Sequence, residues 1–294
     1  MRSSLATILP LCSALGYPVA ALMLKRATEG GTGPWRVSAI TNWIAALAFA
    51  PWWLMGGPPL TLDGALKAAL AGALFFAGQI LTFLALNRGD VSLTTPVMGT
   101  KVIFVAFLAV LFAGNTLSPM LWAAAFLTVM ATVLLGGEIR ANRERVLPSV
   151  GWGFSAAFAF ALTDVTQVKW VPEVGFGHFA PIMFATLGLL SFGLIPFFGK
   201  PLSEMRGSSA RWAVGGALML SLQATGIAYC IGMFHEVTLT NILYNTRGIW
   251  SVVLVWVIGH WFSNTESTIG NRAMLRRFAG AAILLAAVAL GLRK

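Results

Sequence analysis

The sequence predicts an all-α integral membrane protein of ten transmembrane helices, arranged as two inverted five-helix repeats. Three observations carry this expectation. Apolar residues make up 57% of the 294-residue chain and charged residues only 10%, too little charge to cover a soluble domain of this length. The apolar residues fall into ten runs of about 17–24 residues, the length at which a helix crosses a bilayer while satisfying its own backbone groups. The second half of the chain also aligns on the first, down to one basic residue buried in the middle of an apolar run in each.

The first run, 4–24, follows Met1-Arg2 and could be read as a signal peptide. Its length, its Lys25-Arg26 end and its counterpart later in the chain favour a span. Run 36–55 carries Asn42, with Trp35 before it and Trp52-Trp53 near its end as interface anchors. Run 64–86 has Ala65, Ala69, Ala73 and Ala77 at steps of four, which predicts close helix packing, and Gln79 and Thr82 beyond them. Run 91–112 contains Lys101, and run 120–137 is almost wholly apolar. The polar stretch EIRANRERVLPS, 138–149, reads as a linker between a first repeat, 1–137, and a second, 150–294. Run 150–169 holds Asp164, the only acid well inside a span. Runs 179–198 and 211–233 follow, the latter with Gln223 and Thr225. Run 237–260 contains Arg247, and 276–292 closes the chain. Cys12 and Cys230 lie inside apolar runs and read as small core residues.

The repeat sets the topology. At an offset of 146, Asp90 meets Glu236, Thr94 meets Thr240, Thr100 meets Thr246 and Lys101 meets Arg247. Near the start the offset is 144, placing Lys25 on Lys169, Glu29 on Glu173, Gly31 on Gly175 and Gly33 on Gly177. Near the end it is 154, with Met120-Leu121 on Met274-Leu275. Five spans per half force the second half to enter the membrane in the opposite sense. Loops after odd-numbered spans hold thirteen Lys and Arg; the termini and loops after even-numbered spans hold five. The positive-inside bias therefore puts both termini outside. The net charge of +10 is spread over loops and termini, which fits anionic headgroups better than nucleic acid.

A cation at mid-membrane costs at least a few kcal/mol, so Lys101 and Arg247 mark a functional site by default. Thr240, Tyr244, Arg247 and Ser251 follow helical spacing and form one polar stripe; its counterpart is Thr94, Met98, Lys101 and Val105. Gln79 and Thr225 are repeat-equivalent and are expected to line the same centre. An ammonium, a guanidinium fork and a phenol can together clamp a carboxylate or phosphate. The competing reading makes both cations structural, bonded to carbonyls or to Asp164. Asp164 itself is a candidate proton-coupling residue, a counter-ion for Arg247, or an interfacial residue.

Ten short spans in inverted halves resemble the drug/metabolite transporter superfamily, in particular its EamA-type members. The stretch FLALNRGDVSLTTPVMGTKVIFVAFLAVLFAGNTLSPMLWAAAFLTVMATVLLGG, 83–137, is similar to that family's third-to-fifth-helix signature. The chain departs from the family at Asn115, where Glu is frequent, and carries Ile242 opposite Pro96. The plastid phosphate translocators of the same superfamily carry basic residues on the fourth and ninth helices, and Lys101 and Arg247 occupy the matching places. There the ninth helix has adjacent basic residues; here Arg247 precedes Gly248, which points to a smaller or singly charged anion.

The resemblance implies a secondary transporter in a bacterial inner membrane, working by alternating access around a central site. The expected substrate is a small organic anion or zwitterion: a carboxylate, an amino acid or an organic phosphate. Alternatives are an intramembrane enzyme or lipid-phosphate-handling protein using the Lys/Arg pair, a channel, and an exporter of neutral drug-like metabolites. His178, His235 and His260 show no metal spacing, and no Gly-Lys-Ser/Thr phosphate loop is present, so no metal, cofactor or ATP drive is expected. The oligomeric state is left open.

Overall fold

The computed structural model describes residues 2–88, 97–114, 116–135, 143–205, 207–258 and 271–293. Among them every regular element is helical. The α-helices are α1 (Arg2–Ala27), α2 (Pro34–Phe49), α3 (Leu62–Arg88), α4 (Lys101–Ala113), α5 (Pro119–Leu135) and α6 (Arg143–Val174). The second half continues with α7 (Phe176–Leu190), α8 (Gly207–Phe234), α9 (Val237–Tyr244), α10 (Arg247–Ile258) and α11 (Asn271–Leu292). Tighter 3₁₀ turns extend α2 over Ala50–Met55 and α7 over Ser191–Phe197.

Among the described residues, seven helical stretches are long and apolar enough to cross a membrane: Ser4–Thr32, Pro34–Met55, Leu62–Ala85, Val146–Val174, Phe176–Phe197, Gly207–Phe234 and Leu275–Leu292. Lys101–Phe112 and Pro119–Leu135 are apolar but shorter. The run at 237–260 is not one helix, because a turn at Asn245-Thr246 divides it into α9 and α10. The side chains explain the break. Asn245 Nδ2 donates to the Asn241 carbonyl and Thr246 Oγ1 to the Leu243 carbonyl, so local bonds compete with the helical ladder. Helix α6 begins at Arg143, inside the stretch read as a linker, and 138–142 lie outside the described residues.

Two glycines set parallel corners. Gly33 (φ 80, ψ 151) precedes Pro34 at the start of α2, and Gly175 (φ 82, ψ 138) precedes Phe176 at the start of α7. Both are in backbone that L side chains rarely adopt. Their spacing, 175 − 33 = 142, is two residues shorter than the offset by which the sequence pairs this segment.

The most extensive packing is between α1 and α8, α3 and α6, and α5 and α11. Next come α3 with α7, α2 with α8, α4 with α6, α2 with α7, and α1 with α9 and α10. The main apolar cluster lies where α3 begins and α6 ends. It joins Ala68, Ala71, Val171, Val174, Phe176, Phe179 and Met183, with Phe49 stacked on Phe184 at 3.6 Å between ring centroids. In the first half of α3 the buried small residues are Gly64, Ala68, Ala71 and Gly72, whereas Ala65, Ala69, Ala73 and Ala77 are half-buried. The close-packed stripe is thus rotated by one residue from the one the alanine spacing suggests.

A Cβ on Gly72 would run into the Met183 carbonyl and lie 2.9 Å from Thr186 Cβ, so α3 and α7 touch through that glycine. Gly72→Val should cost about 1–3 kcal/mol by overpacking and lower the melting temperature of the purified protein. Gly151, on α6, has open space around it, and Gly151→Ala should leave the melting temperature unchanged or higher. Equal melting temperatures for Gly72→Val and wild type would contradict the α3–α7 contact.

Candidate functional site

A cavity of about 600 Å³ lies between the helices. It reaches the end of the molecule where α1 closes and α2 opens, with Lys25, Thr28 and Pro34 in its wall. At the other end its lining stops at Ala45, Gln167 and Ala228, next to the Phe49–Phe184 cluster. Phe75, Phe160, Phe184, Met98 and Met183 supply apolar wall, and Asn42, Gln79, Gln167 and Gln223 supply amides.

Lys101 and Arg247 both face this cavity, each as the first residue of a helix. The local chain is the same at both places. Thr100 Oγ1 donates to the Val97 carbonyl at 2.6 Å and Thr246 Oγ1 to the Leu243 carbonyl at 2.7 Å. The breaks are shallow. The amides of Ile103 and Phe104 bond to the Thr100 carbonyl, and those of Ile249 and Trp250 to the Thr246 carbonyl. No row of free helix-terminal N–H groups is left for a ligand, so recognition of an anion falls to the side chains.

The two cations are compensated differently. Lys101 Nζ is 2.7 Å from Asp164 Oδ2, with Asp164 buried. The same oxygen accepts a hydrogen bond from Asn241 Nδ2 at 2.8 Å, so one carboxylate ties α4, α6 and α9 together. The Arg247 guanidinium instead sits 4.6 Å from the Tyr17 ring centroid and 4.5 Å from that of Tyr244. Those rings meet edge to face at 6.1 Å. Among the described residues no carboxylate is within ion-pairing distance of Arg247, so its charge is held by ring faces. A guanidinium so held keeps N–H donors for a ligand.

Of the residues singled out from the sequence, Lys101, Arg247, Tyr244, Met98, Gln79 and Asp164 line the cavity. Thr240 is buried on α9 outside its lining, and Ser251 bonds back to the Arg247 carbonyl. The turn at Asn245-Thr246 changes the helical phase and separates these two from the stripe. Thr225 also lies outside the lining and bonds to the Ser221 carbonyl. Thr94 lies outside the described residues. Gln79 forms a reciprocal amide pair with Asn42, whose Nδ2 also donates to Ser191 Oγ at 2.8 Å. The sequence analysis did not single out Tyr17 and Gln167. A mid-span tyrosine, in a chain with only 3, is the one signal that could have marked Tyr17.

The fold and this cavity define a polytopic helical membrane protein with a charged, partly aromatic chamber at its centre. Residues 4–137 match the EamA-like transporter family, a domain of the drug/metabolite transporter superfamily. Members of that family are membrane transporters and not enzymes. A solved crystal structure is similar over 99% of this chain and 98% of its own, with a TM-score of 0.74 and 20% sequence identity, which supports the fold. No curated protein matches the chain.

The Lys101–Asp164 contact is testable as a coupled pair. Breaking one partner of a buried ion pair costs about 3–5 kcal/mol, because the other is left uncompensated. Lys101→Met and Asp164→Asn should each lower the melting temperature, and the double variant should lose less than the sum of the two. Strict additivity in this cycle would show that the two residues do not interact.

Proposed function

We propose that the protein is a secondary transporter of a small organic anion or zwitterion, bound in the central cavity and released by alternating access between two inverted five-helix repeats. The carrying observation is the unequal compensation of the two central cations. Lys101 is neutralised by Asp164, while Arg247 rests on Tyr17 and Tyr244 with no carboxylate beside it among the described residues. The set of three charges leaves one net positive charge at the centre of the cavity. That balance favours a singly charged anionic group, such as a carboxylate, over a phosphate dianion. Arg247 is its principal anchor, and Lys101 contributes when the substrate draws it from Asp164. A zwitterion would add an ammonium group that Asp164 can accept. The aromatic and methionine walls suit an apolar body, and about 600 Å³ is within the usual range of small-ligand pockets.

The packing supports the repeat. Exchanging the five runs of one half with those of the other turns α1–α8 into α6–α3, α2–α8 into α7–α3, and α4–α6 into the contact of α9 and α10 with α1. It maps α2–α7 and α5–α11 onto themselves. Each of these contacts is present. On this reading the halves are 1–137 and 150–294, joined by 138–149. The Lys and Arg distribution favours both termini outside, and the family resemblance a bacterial inner membrane. Asp164 is the candidate coupling residue, since it is the carboxylate of the cavity wall and holds Lys101 there.

Two experiments test this. Single cysteines at Ser3 and Ser208 should react with an impermeant thiol reagent from opposite faces of the membrane, Ser3 from outside. Reaction from the same face would overturn the five-plus-five topology. For the site, candidate carboxylates and amino acids are screened by thermal stabilisation of the purified protein. Arg247→Met should then weaken binding of a stabilising ligand by about 2–5 kcal/mol, roughly thirtyfold to several-thousandfold. Arg247→Lys should restore only part, because Lys lacks the bidentate fork. Wild-type affinity in Arg247→Met, or a substrate that is a bare cation, would refute the anion site.

A further inference from the structure

The cavity reaches the exposed Lys25 at one end and stops against a buried apolar cluster at the other, and the same repeat-related side chains stand in different states at the two ends. At the closed end Lys67, on the first turns of α3, is 2.6 Å from Glu173 near the end of α6 and 2.7 Å from Asp63. This bridge stands over the apolar cluster that ends the cavity. The offset of 144 that pairs Glu29 with Glu173 also pairs Lys67 with Arg211. At the open end these equivalents are apart. Glu29 is 3.8 Å from Lys25, a residue of the cavity wall, and Arg211 Nε is turned back to the Gly207 carbonyl of its own helix. The segments that carry them already touch, through Ser209 Oγ donating to the Gly30 carbonyl at 2.9 Å. Glu29 and Arg211 are therefore within one turn of each other's backbone, and a local rearrangement brings them together.

We propose that Lys67–Glu173 and Arg211–Glu29 are alternating gate pairs of the transport cycle. The first is formed while the cavity is open at the Lys25–Pro34 end. The second forms, and the first breaks, when the cavity opens at the other end. Lys25 releases Glu29 in that step, and Asp63 retains Lys67. The proposal rests on the alternating-access reading, but not on the identity of the substrate. Exposed ion pairs are weak, which suits a gate: each biases a two-state equilibrium by a small factor without locking it.

The test needs no substrate. Ala224 lines the cavity, and a cysteine there reports which end is open. In an Ala224→Cys protein with Cys12→Ser and Cys230→Ala, an impermeant maleimide is applied from each face in oriented vesicles. The reporter should react from the Lys25 side. Lys67→Gln and Glu173→Gln should each raise its reaction rate from the opposite side about fivefold. Glu29→Gln and Arg211→Gln should lower that same rate. The charge-swapped pair Lys67→Glu with Glu173→Lys should return toward the parent rate, which separates a gate from general loosening. An unchanged opposite-side rate in both Lys67→Gln and Glu173→Gln would overturn the gate alone. Equal rates from both faces in the parent would overturn alternating access and the gate with it.

Discussion

In the interior of a bilayer-spanning protein a fixed positive charge has to be met by a carboxylate, a ring face, a carbonyl or a ligand. The central architecture depends on how that demand is met at Lys101 and at Arg247. Lys101 recruits Asp164, and Asp164 recruits Asn241, so three helices converge on one carboxylate oxygen. Arg247 recruits two tyrosines, one from its own chain segment and one from α1. The first arrangement spends the charge within the protein. The second stabilises it only in part, because a ring quadrupole offsets less of a full charge than an ion at the same distance. The electrostatic asymmetry of the cavity follows from this difference.

The cations can stand at the centre because the helices carrying them are interrupted there. Thr100 and Thr246 bond to carbonyls three residues back, and each basic residue then opens a new helical stretch. Elsewhere the polar side chains inside the helices are mostly spent on their own backbone. Thr41, Thr82, Thr128, Thr163 and Thr225 each donate to the carbonyl four residues earlier. A hydroxyl so used presents little polarity to a ligand. Groups of the cavity wall still able to contact one include Lys101, Arg247, Tyr17, Tyr244 and the Gln223 carbonyl oxygen, which has no partner among the described residues.

The helices were legible because an apolar run of bilayer length leaves the backbone few alternatives. So was the place of Lys101 and Arg247, both of which line the central cavity. Their partners were not. Asp164 read as a counter-ion for Arg247, and the packing of α4 against α6 gives it to Lys101 instead. Tyr17 was missed because a single tyrosine in an apolar run carries no spacing signal; its role comes from the approach of α1 to α9 and α10. Helical phase was the other weak point. The stripe through Thr240 and Ser251 assumes an unbroken helix, and two hydrogen-bonding side chains at Asn245 and Thr246 undo that assumption. On α3 the glycines, not the evenly spaced alanines, mark the contact face, because the absence of a Cβ allows the Met183 backbone to approach.

The strongest helix contacts cross from one half of the chain to the other, α1 with α8 and α3 with α6. The halves are therefore not two separate bundles with a cleft between them, and the motion proposed above would have to run along these two seams. Each seam has an end where small residues bring backbone close: Gly30 against Ser209 on one, Gly64 against Val174 on the other. A contact made through a glycine has no interlocking side chains to unpack, so it tolerates rotation better than a ridge-in-groove contact of the same area. The long apolar remainder of each seam, by contrast, resists separation. Such seams permit tilting about their tight ends more readily than sliding or parting. In the proposed cycle, tilting of that kind would change which end of the central cavity is covered.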